Sequence, residues 1–428
     1  MRVLYSLLLY LLTPGLLVYL GWRARREPAY REQWPRRFGV QAPVVPAGAI
    51  WLHAASMGEV QASATFIREL RQAYPGVPLV VTTMTPTGAA HVERLFGEGV
   101  HHAYLPFDYP HAVAVFLRAL RPRLAVIVEM ELWPNLFAGI HRRGIPLLLI
   151  NARLSAASAR GYRRFRRLMA GVLACPDAIA AQSREHARRL IHLGAPAERV
   201  TVTGSLKFDV SVPASATEQG EALRGMLGGE RPVWVAASTR EGEEEGVLAA
   251  FDQVRGHVPA ALLILVPRHP DRFQRIEALC RERGETVVTR SSGVPATPET
   301  TVLLGDTMGE MPVYYAAADV AFVGGSLVPL GGQNVLEPAA LGLPIVVGPH
   351  TFNFEQIVEQ LVAQGGACRV ADHHLLADAV IELLERPEQR ADMGRRARAL
   401  IEANRGATRR VMELVGGYLP ASGPWRAA

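Results

Sequence analysis

From residue 49 onward the chain repeats one pattern: a short apolar run, Gly or Pro punctuation, then an amphipathic or Arg-rich stretch. The runs at 49–55, 78–83, 124–128, 146–151, 178–181 and 200–203 read as strands. A second series follows at 233–237, 262–267, 285–289, 302–305, 320–324 and 345–348. Alternating strand and helix demands parallel sheets with right-handed crossovers, because a parallel neighbour is reached only by carrying the chain back over one face. Two such series, separated by the polar stretch 211–231, predict two doubly wound α/β domains. Ligands of such sheets bind beyond the carboxyl ends of the strands, which makes the cleft between the domains the expected site.

The 428 residues are 49% hydrophobic and 20% charged, enough apolar material for two cores and too much for a disordered chain. The three cysteines, Cys175, Cys280 and Cys368, are far apart, so neither a disulfide framework nor a zinc site is expected. The net charge of +6 is uneven: residues 1–40 hold seven Arg and two Glu, leaving the rest near neutral. A broad cationic face for nucleic acid is thereby excluded. Of the 46 basic residues one alone is a lysine, Lys207. Codon bias towards arginine explains the missing lysines but not the one that survives, and a guanidinium cannot imitate a compact ammonium.

Residues 3–22 carry no charge and are followed by Arg23, Arg25 and Arg26. Twenty helical residues span about 30 Å, the thickness of a bilayer core, so a membrane anchor is expected. The arginines place the rest of the chain on the cytoplasmic side. Pro14-Gly15 leaves a half-inserted hairpin as an alternative to a full span. The domains expected are 1–40 as anchor and basic segment, 41–212, and 213–428.

Candidate chemistry clusters where strands end. Ser56-Met57-Gly58-Glu59 follows the first strand and opens a helix marked by Val60, Ala64, Ile67, Leu70 and Tyr74. Glu59 therefore sits in a first helical turn on the carboxyl rim. The helix dipole there lowers a carboxyl pKa, so a general base at Glu59 needs burial or a neighbouring carboxylate to compensate. Glu129-Met130-Glu131 follows the apolar run 124–128, where a carboxylate is costly unless it binds or caps something. Lys207 follows 200–203 on the same rim, and Arg268-His269 ends a strand of the second series. Both cations suit a phosphate. His53 and His269 are acid/base candidates that more often serve as structural hydrogen-bonding residues. Asp306–Glu310, Gly324-Gly325-Ser326 and Gly331–Pro338 are Gly-rich loops of the kind that line nucleotide pockets, with Glu337 suited to ribose hydroxyls. Neither a dinucleotide fingerprint nor a Walker A motif is present.

Taken in order, these segments resemble the family of 3-deoxy-D-manno-octulosonic acid (Kdo) transferases. The resemblance rests on Pro28-Ala29-Tyr30-Arg31, Ser56-Met57-Gly58-Glu59, Thr83-Met84-Thr85-Pro86-Thr87-Gly88 and Glu131-Leu132-Trp133-Pro134-Asn135. It continues through Asn151-Ala152-Arg153-Leu154-Ser155, residues 204–209, 266–270, 306–310 and 331–338, and Gly348-Pro349-His350-Thr351-Phe352-Asn353-Phe354. It implies a GT-B fold, two Rossmann-like domains with an interdomain cleft, besides the N-terminal anchor helix. It also implies an inverting transfer from CMP-Kdo to a lipid A precursor (lipid IVA), without metal or other cofactor, at the bacterial inner membrane. Glu59 then becomes the general base, and Glu129 and Lys207 transition-state stabilisers. Arg268, His269, Met308, Gly309, Glu310, Asn334, Val335, Leu336 and Glu337 become contacts to CMP. One departure is visible: Arg240 stands where the family usually has histidine. The partners implied are CMP-Kdo, the acceptor and membrane lipid, and not nucleic acid.

Three rivals are separable. A transferase using a uridine-linked sugar differs in nucleotide competition. A tethered nucleotide-binding scaffold releases no CMP, and a pyridoxal-phosphate phosphorylase of GT-B shape absorbs at 330–430 nm.

Overall fold

The computed structural model describes residues 1–26, 34–210 and 212–419; Pro28-Ala29-Tyr30-Arg31 therefore lies outside the described residues. The first sheet contains β1 (Ile50–His53), β2 (Leu79–Thr83), β3 (His101–Tyr104), β4 (Leu124–Val128), β5 (Leu147–Ala152), β6 (Ala178–Ala181) and β7 (Val200–Val202). Their order is β3-β2-β1-β4-β5-β6-β7, parallel throughout. The second sheet contains β8 (Val233–Thr239), β9 (Leu262–Pro267), β10 (Val287–Thr289), β11 (Val302–Leu304), β12 (Val320–Val323), β13 (Ile345–Val347) and β14 (Ala367–Arg369). Its order is β10-β11-β9-β8-β12-β13-β14, again all parallel.

Central strands such as β4 and β5 are buried along their whole length, because helices cover both faces of a parallel sheet. That continuous apolarity is what made them legible. The two strands not anticipated lie at sheet edges. β3 reads His-His-Ala-Tyr and is partly exposed, and β14 is three residues long, so neither carries the apolar signature. The stretch 211–231, expected as a connector, is largely the helix Ala214–Met226.

In each sheet the strand order reverses near the centre, and in the second the edge pair β10 and β11 is also exchanged. The reversals fall between β1 and β4 and between β8 and β12, the switch points where ligands of such sheets bind. At the second, Gly324 passes so close to β8 that a Cβ would lie 2.7 Å from the Thr239 Cα. Only glycine fits there.

The compact units run Met1–Asp209 with the segment from Arg405 onward, and Val210–Asn404. The second unit thus ends earlier than the expected 213–428. The final helix, Ala407–Tyr418, buries Ala407, Val411 and Val415 in a core shared with Val60, Phe66 and Leu70 of the first unit. Asp209 caps that helix by accepting hydrogen bonds from the Gly406 N–H (2.6 Å) and the Thr408 N–H. The Tyr74 hydroxyl donates to the Leu419 carbonyl at 2.7 Å, and the Arg410 guanidinium to the Thr203 carbonyl at 2.7 Å. None of these partners is near in sequence, so the return of the helix had no local signal.

At the N-terminus one helix, Arg2–Arg26, continues through Pro14. It is long and apolar enough to cross a membrane by length and composition, and it does not fold back at Pro14-Gly15 as a hairpin would.

Candidate active site

β1 delivers the chain to Ala54-Ala55 and then to Ser56, which caps the helix Met57–Ala62. Ser56 Oγ accepts from the Glu59 N–H (3.4 Å) and donates to Glu59 Oε1 (3.1 Å), a reciprocal cap of the S-x-x-E type. The Ala55 N–H donates to Glu59 Oε2 at 2.8 Å. The Glu59 carboxylate is therefore folded back over the start of its own helix, at the switch point.

Across the switch, β4 ends in Glu129. This residue has φ 61°, a left-handed conformation that a residue with a side chain adopts only at a cost. Its N–H continues the sheet by donating to the Ile150 carbonyl (2.8 Å), after which the chain turns sharply into the helix Pro134–His141. Burial raises the Glu59 carboxyl to about 7, helped by the Glu129 charge and more weakly by Glu131, and opposed by the Ala55 amide and the Ser56 hydroxyl. The helix dipole acts downward on this carboxyl, and desolvation together with the Glu129 charge outweighs it.

Glu131 has a different environment. It accepts from Trp133 Nε1 at 3.0 Å and lies 3.8 Å from His53 Nε2. Burial alone would raise its carboxyl, but His53 and the Trp133 N–H hold it below the usual range. Two carboxylates with one residue between them thus serve differently, one adding to the proton affinity of Glu59 and the other paired with a histidine. The His53 ring is wholly buried, with Nδ1 3.1 Å from the Thr82 carbonyl and 3.0 Å from Thr82 Oγ1. It lies beside Glu131, and no hydrogen bond joins it to Glu59.

Lys207 lies in the turn Leu206–Phe208 that follows β7. That turn is tied to β5 through Asn151, whose Oδ1 accepts from the Leu206 N–H at 3.1 Å. Asn151 is wholly buried with φ 52°, and its Nδ2 has no hydrogen-bond partner. Among the described residues Lys207 has no ion-pair partner, so its ammonium is uncommitted. Because the sheet is parallel, Glu59, Glu129, Asn151 and Lys207 all stand on one rim.

In the second unit Arg268 follows β9, its N–H bonded to the Thr239 carbonyl at 3.0 Å. Its charge acts on Glu337, whose carboxyl is raised by burial and lowered less by the Asn334 amide and Arg268. Asn334 Nδ2 donates to Glu337 Oε1 at 3.0 Å while its Oδ1 accepts from the Leu336 N–H at 3.0 Å. Val335 and Leu336 have buried side chains, leaving only their backbone for a ligand. Met308 is exposed and Gly309 is left-handed with open space around it. The Glu310 carboxylate is already held by Arg290 through two bonds (3.2 and 2.9 Å) and by Thr307. His269 Nε2 lies 2.7 Å from the Arg240 guanidinium, and burial, Arg240 and Arg268 together lower the imidazole's pKa.

The amides of the Gly324-Gly325-Ser326 turn are not free donors for a phosphate. Those of Gly325, Ser326 and Leu327 bond to the buried Glu243 carboxylate at 2.6, 2.9 and 2.9 Å. The Arg240 amide adds a fourth bond at 2.9 Å. The amides of Gly332 and Gln333 in turn bond to the carbonyls of Gly325 and Gly324. The Gly-rich loops brace one another around Glu243.

The first unit matches the family described as 3-deoxy-D-manno-octulosonic-acid transferase (kdotransferase) over residues 32–210, and residues 283–400 match glycosyl transferases group 1. A 3-deoxy-D-manno-octulosonic acid transferase of Haemophilus influenzae is 38% identical over 98% of this chain and 99% of its own length. The Bordetella pertussis enzyme of the same name is 41% identical over 98% and 99%. The chain belongs to the Kdo transferase family.

As a Kdo transferase it shares its fold with much more distant proteins. A Neisseria meningitidis UDP-GlcNAc 2-epimerase covers 86% of the chain at 14% identity, with 99% of the epimerase matched and a TM-score of 0.51. The Anabaena protein HepE also covers 86%, at 15% identity, with all of HepE matched and a TM-score of 0.51. Such identities speak for the fold alone, two parallel-sheet units of GT-B type. In this Kdo transferase two residues, Asn151 and Glu243, have parts that the sequence reading does not assign, although Asn151 opens one of the segments of the resemblance. Asn151 had a usable signal, an asparagine at the end of an apolar strand, since asparagine tolerates the left-handed region. Glu243 had none, because its four amide partners come from two separate loops.

Proposed function

We propose that this Kdo transferase moves Kdo from CMP-Kdo to a lipid A precursor with inversion at the anomeric carbon. The observation that carries this reading is the Glu59 carboxyl, raised to about 7 on the rim of the first sheet beside Glu129. A base works best when its pKa lies near the working pH. Glu59 takes the proton of the attacking acceptor hydroxyl as the new C–O bond forms. The bond from the anomeric carbon to the phosphate oxygen breaks at the same time, and CMP leaves with the electron pair. Glu129 sustains the basicity of Glu59 and balances positive charge developing on the sugar. Lys207, uncommitted to any other charge, stabilises the anionic groups of the donor.

In the second unit, Arg268 meets the nucleotide phosphate, while Glu337 accepts from ribose hydroxyls. Gly309 and Met308, with the backbone of Glu310, Val335 and Leu336, complete the nucleotide contacts beside His269 and Asn334. The Arg2–Arg26 helix holds the enzyme at the cytoplasmic face of the bacterial inner membrane, where an amphiphilic acceptor resides.

The deciding experiment incubates the full chain with CMP-Kdo and tetraacyl lipid A precursor and reads product masses. Addition of Kdo with equimolar CMP release supports the reading, and turnover with a uridine-linked sugar instead overturns it.

A further inference from the structure

The Arg2–Arg26 helix has two faces that differ in more than composition. The positions partly withdrawn from solvent include Arg2, Ser6, Leu9, Thr13 and Leu16, and Leu20 and Ala24 are buried. Their steps of three or four residues form one stripe along the whole helix, a length of about 37 Å. On the opposite face run Leu4, Leu8, Leu11, Gly15, Val18 and Trp22, with Leu11 75% and Val18 74% exposed.

The withdrawn side carries the polar groups. Ser6 Oγ donates to Asn135 Oδ1 (3.1 Å), and Thr13 Oγ1 lies 2.8 Å from the Tyr109 hydroxyl. Tyr10 bonds His111 Nδ1 at 2.6 Å, and the buried Asp108 carboxylate interacts with Tyr5 and with the charge of Arg2. Asp108 itself accepts from the Asn135 and Leu136 amides at 2.9 and 2.8 Å. The helix is fastened to the first unit by side-chain bonds, and its covered stripe extends to Ala24. A spanning helix presents its whole circumference to hydrocarbon or to other spanning segments. Here a span would drag Asp108, Asn135 and His111 into the bilayer core, which excludes such groups.

Beside the helix lies a cleft of about 290 Å3 lined by Arg2, Leu7, Tyr10, Val113, Arg142 and Arg143, among others. Among the described residues no carboxylate reaches ion-pair distance of Arg2, Arg142 or Arg143. Desolvation, with the charges of Arg142 and Arg118, depresses the Arg143 guanidinium, so an arriving anion relieves repulsion already present. Three guanidinium groups beside an uncharged apolar face match the chemistry of a phospholipid surface, phosphates above and acyl chains below.

We propose that the helix is an in-plane anchor. It lies along one leaflet of an anionic bilayer, with Leu4, Leu8, Leu11 and Val18 among the acyl chains and Arg2, Arg142 and Arg143 on lipid phosphates. Anchor and first unit then form one body, and the rim bearing Glu59 is held at a fixed attitude to the membrane.

The test needs no catalysis. Epitope tags are placed ahead of Met1 and after Ala428, in sealed membrane vesicles from expressing cells with the C-terminal tag facing out. An in-plane helix leaves both tags open to added protease without detergent. An N-terminal tag protected until detergent is added means a span and overturns the proposal. In a second arm, Arg142→Gln with Arg143→Gln should lower partition onto phosphatidylglycerol-containing vesicles at least tenfold and leave partition onto phosphatidylcholine unchanged. Equal partition of variant and parent onto the anionic vesicles removes the phosphate contact. Leu8→Ser with Leu11→Ser, at exposed positions, should weaken binding to both vesicle types with an unchanged melting curve; undiminished binding removes the apolar contact.

Discussion

Glu59 and Glu129 follow the two strands that flank the β1–β4 switch point, and the charge of Glu129 helps to raise the Glu59 carboxyl to about 7. Seventy residues of chain separate them, yet adjacent parallel strands deliver both to one crevice. Replacing Glu129 by Gln removes that charge and keeps the shape. The acid limb of the pH–rate profile should move to lower pH, with a fall in maximal turnover. A limb that stays in place would show that Glu129 does not tune the base.

Glu59→Gln removes the basic oxygen, so turnover should fall by ~10²–10⁴ while CMP affinity, measured by calorimetry, holds. Stability should respond in the opposite sense. The folded carboxyl keeps its proton up to about 7, whereas an ordinary glutamate releases it near 4.5. Stability therefore falls as pH rises between those values. At pH 8 the glutamine variant should be more stable than the parent, by about 3 kcal/mol at most, and the two should converge near pH 4. Equal melting curves at pH 8 would argue that the carboxyl is not strained by its surroundings.

Lys207→Arg keeps the charge but replaces a compact ammonium with a larger planar fork. Turnover should drop at least tenfold, about 1.4 kcal/mol in the transition state, with folding unchanged. Asn151→Gly tests the support beneath it, since glycine accepts φ 52° but cannot bond the Leu206 amide. It should also lower turnover, with a stability loss of about 1 kcal/mol. Full activity in the glycine variant would leave Asn151 without a positioning role.

Val411→Ala addresses the return of the last helix to the first unit. Truncation of a buried valine should cost roughly 1–3 kcal/mol, and calorimetry should show the loss in the transition of the first unit. On the proposed nucleotide contacts, CMP should protect the second unit and so identify its transition. A shift confined to the CMP-protected transition would return residues 405–419 to the second unit.

The sequence alone determined whatever depends on short-range pattern. Buried parallel strands must be apolar end to end, so β1, β4, β5, β8 and β9 declared themselves, as did the division into two sheets. The Ser56–Glu59 cap and the placing of Glu129 and Lys207 at strand ends were equally local. Tertiary structure decided what depends on neighbours distant in the chain. The direction of the Glu59 shift reversed because burial and Glu129 outweigh the dipole and the cap. The Gly325 and Ser326 amides are taken up by the Glu243 carboxylate, some eighty residues earlier in the chain. The final helix lies with the first unit because Asp209 and the Phe66–Leu70 core receive it. An apolar run of twenty residues is compatible with a span, and only the stripe from Arg2 to Ala24 shows which side of it the protein already covers. Desolvation and Coulomb fields act through space, and sequence spacing does not encode which groups the fold will bring within their reach.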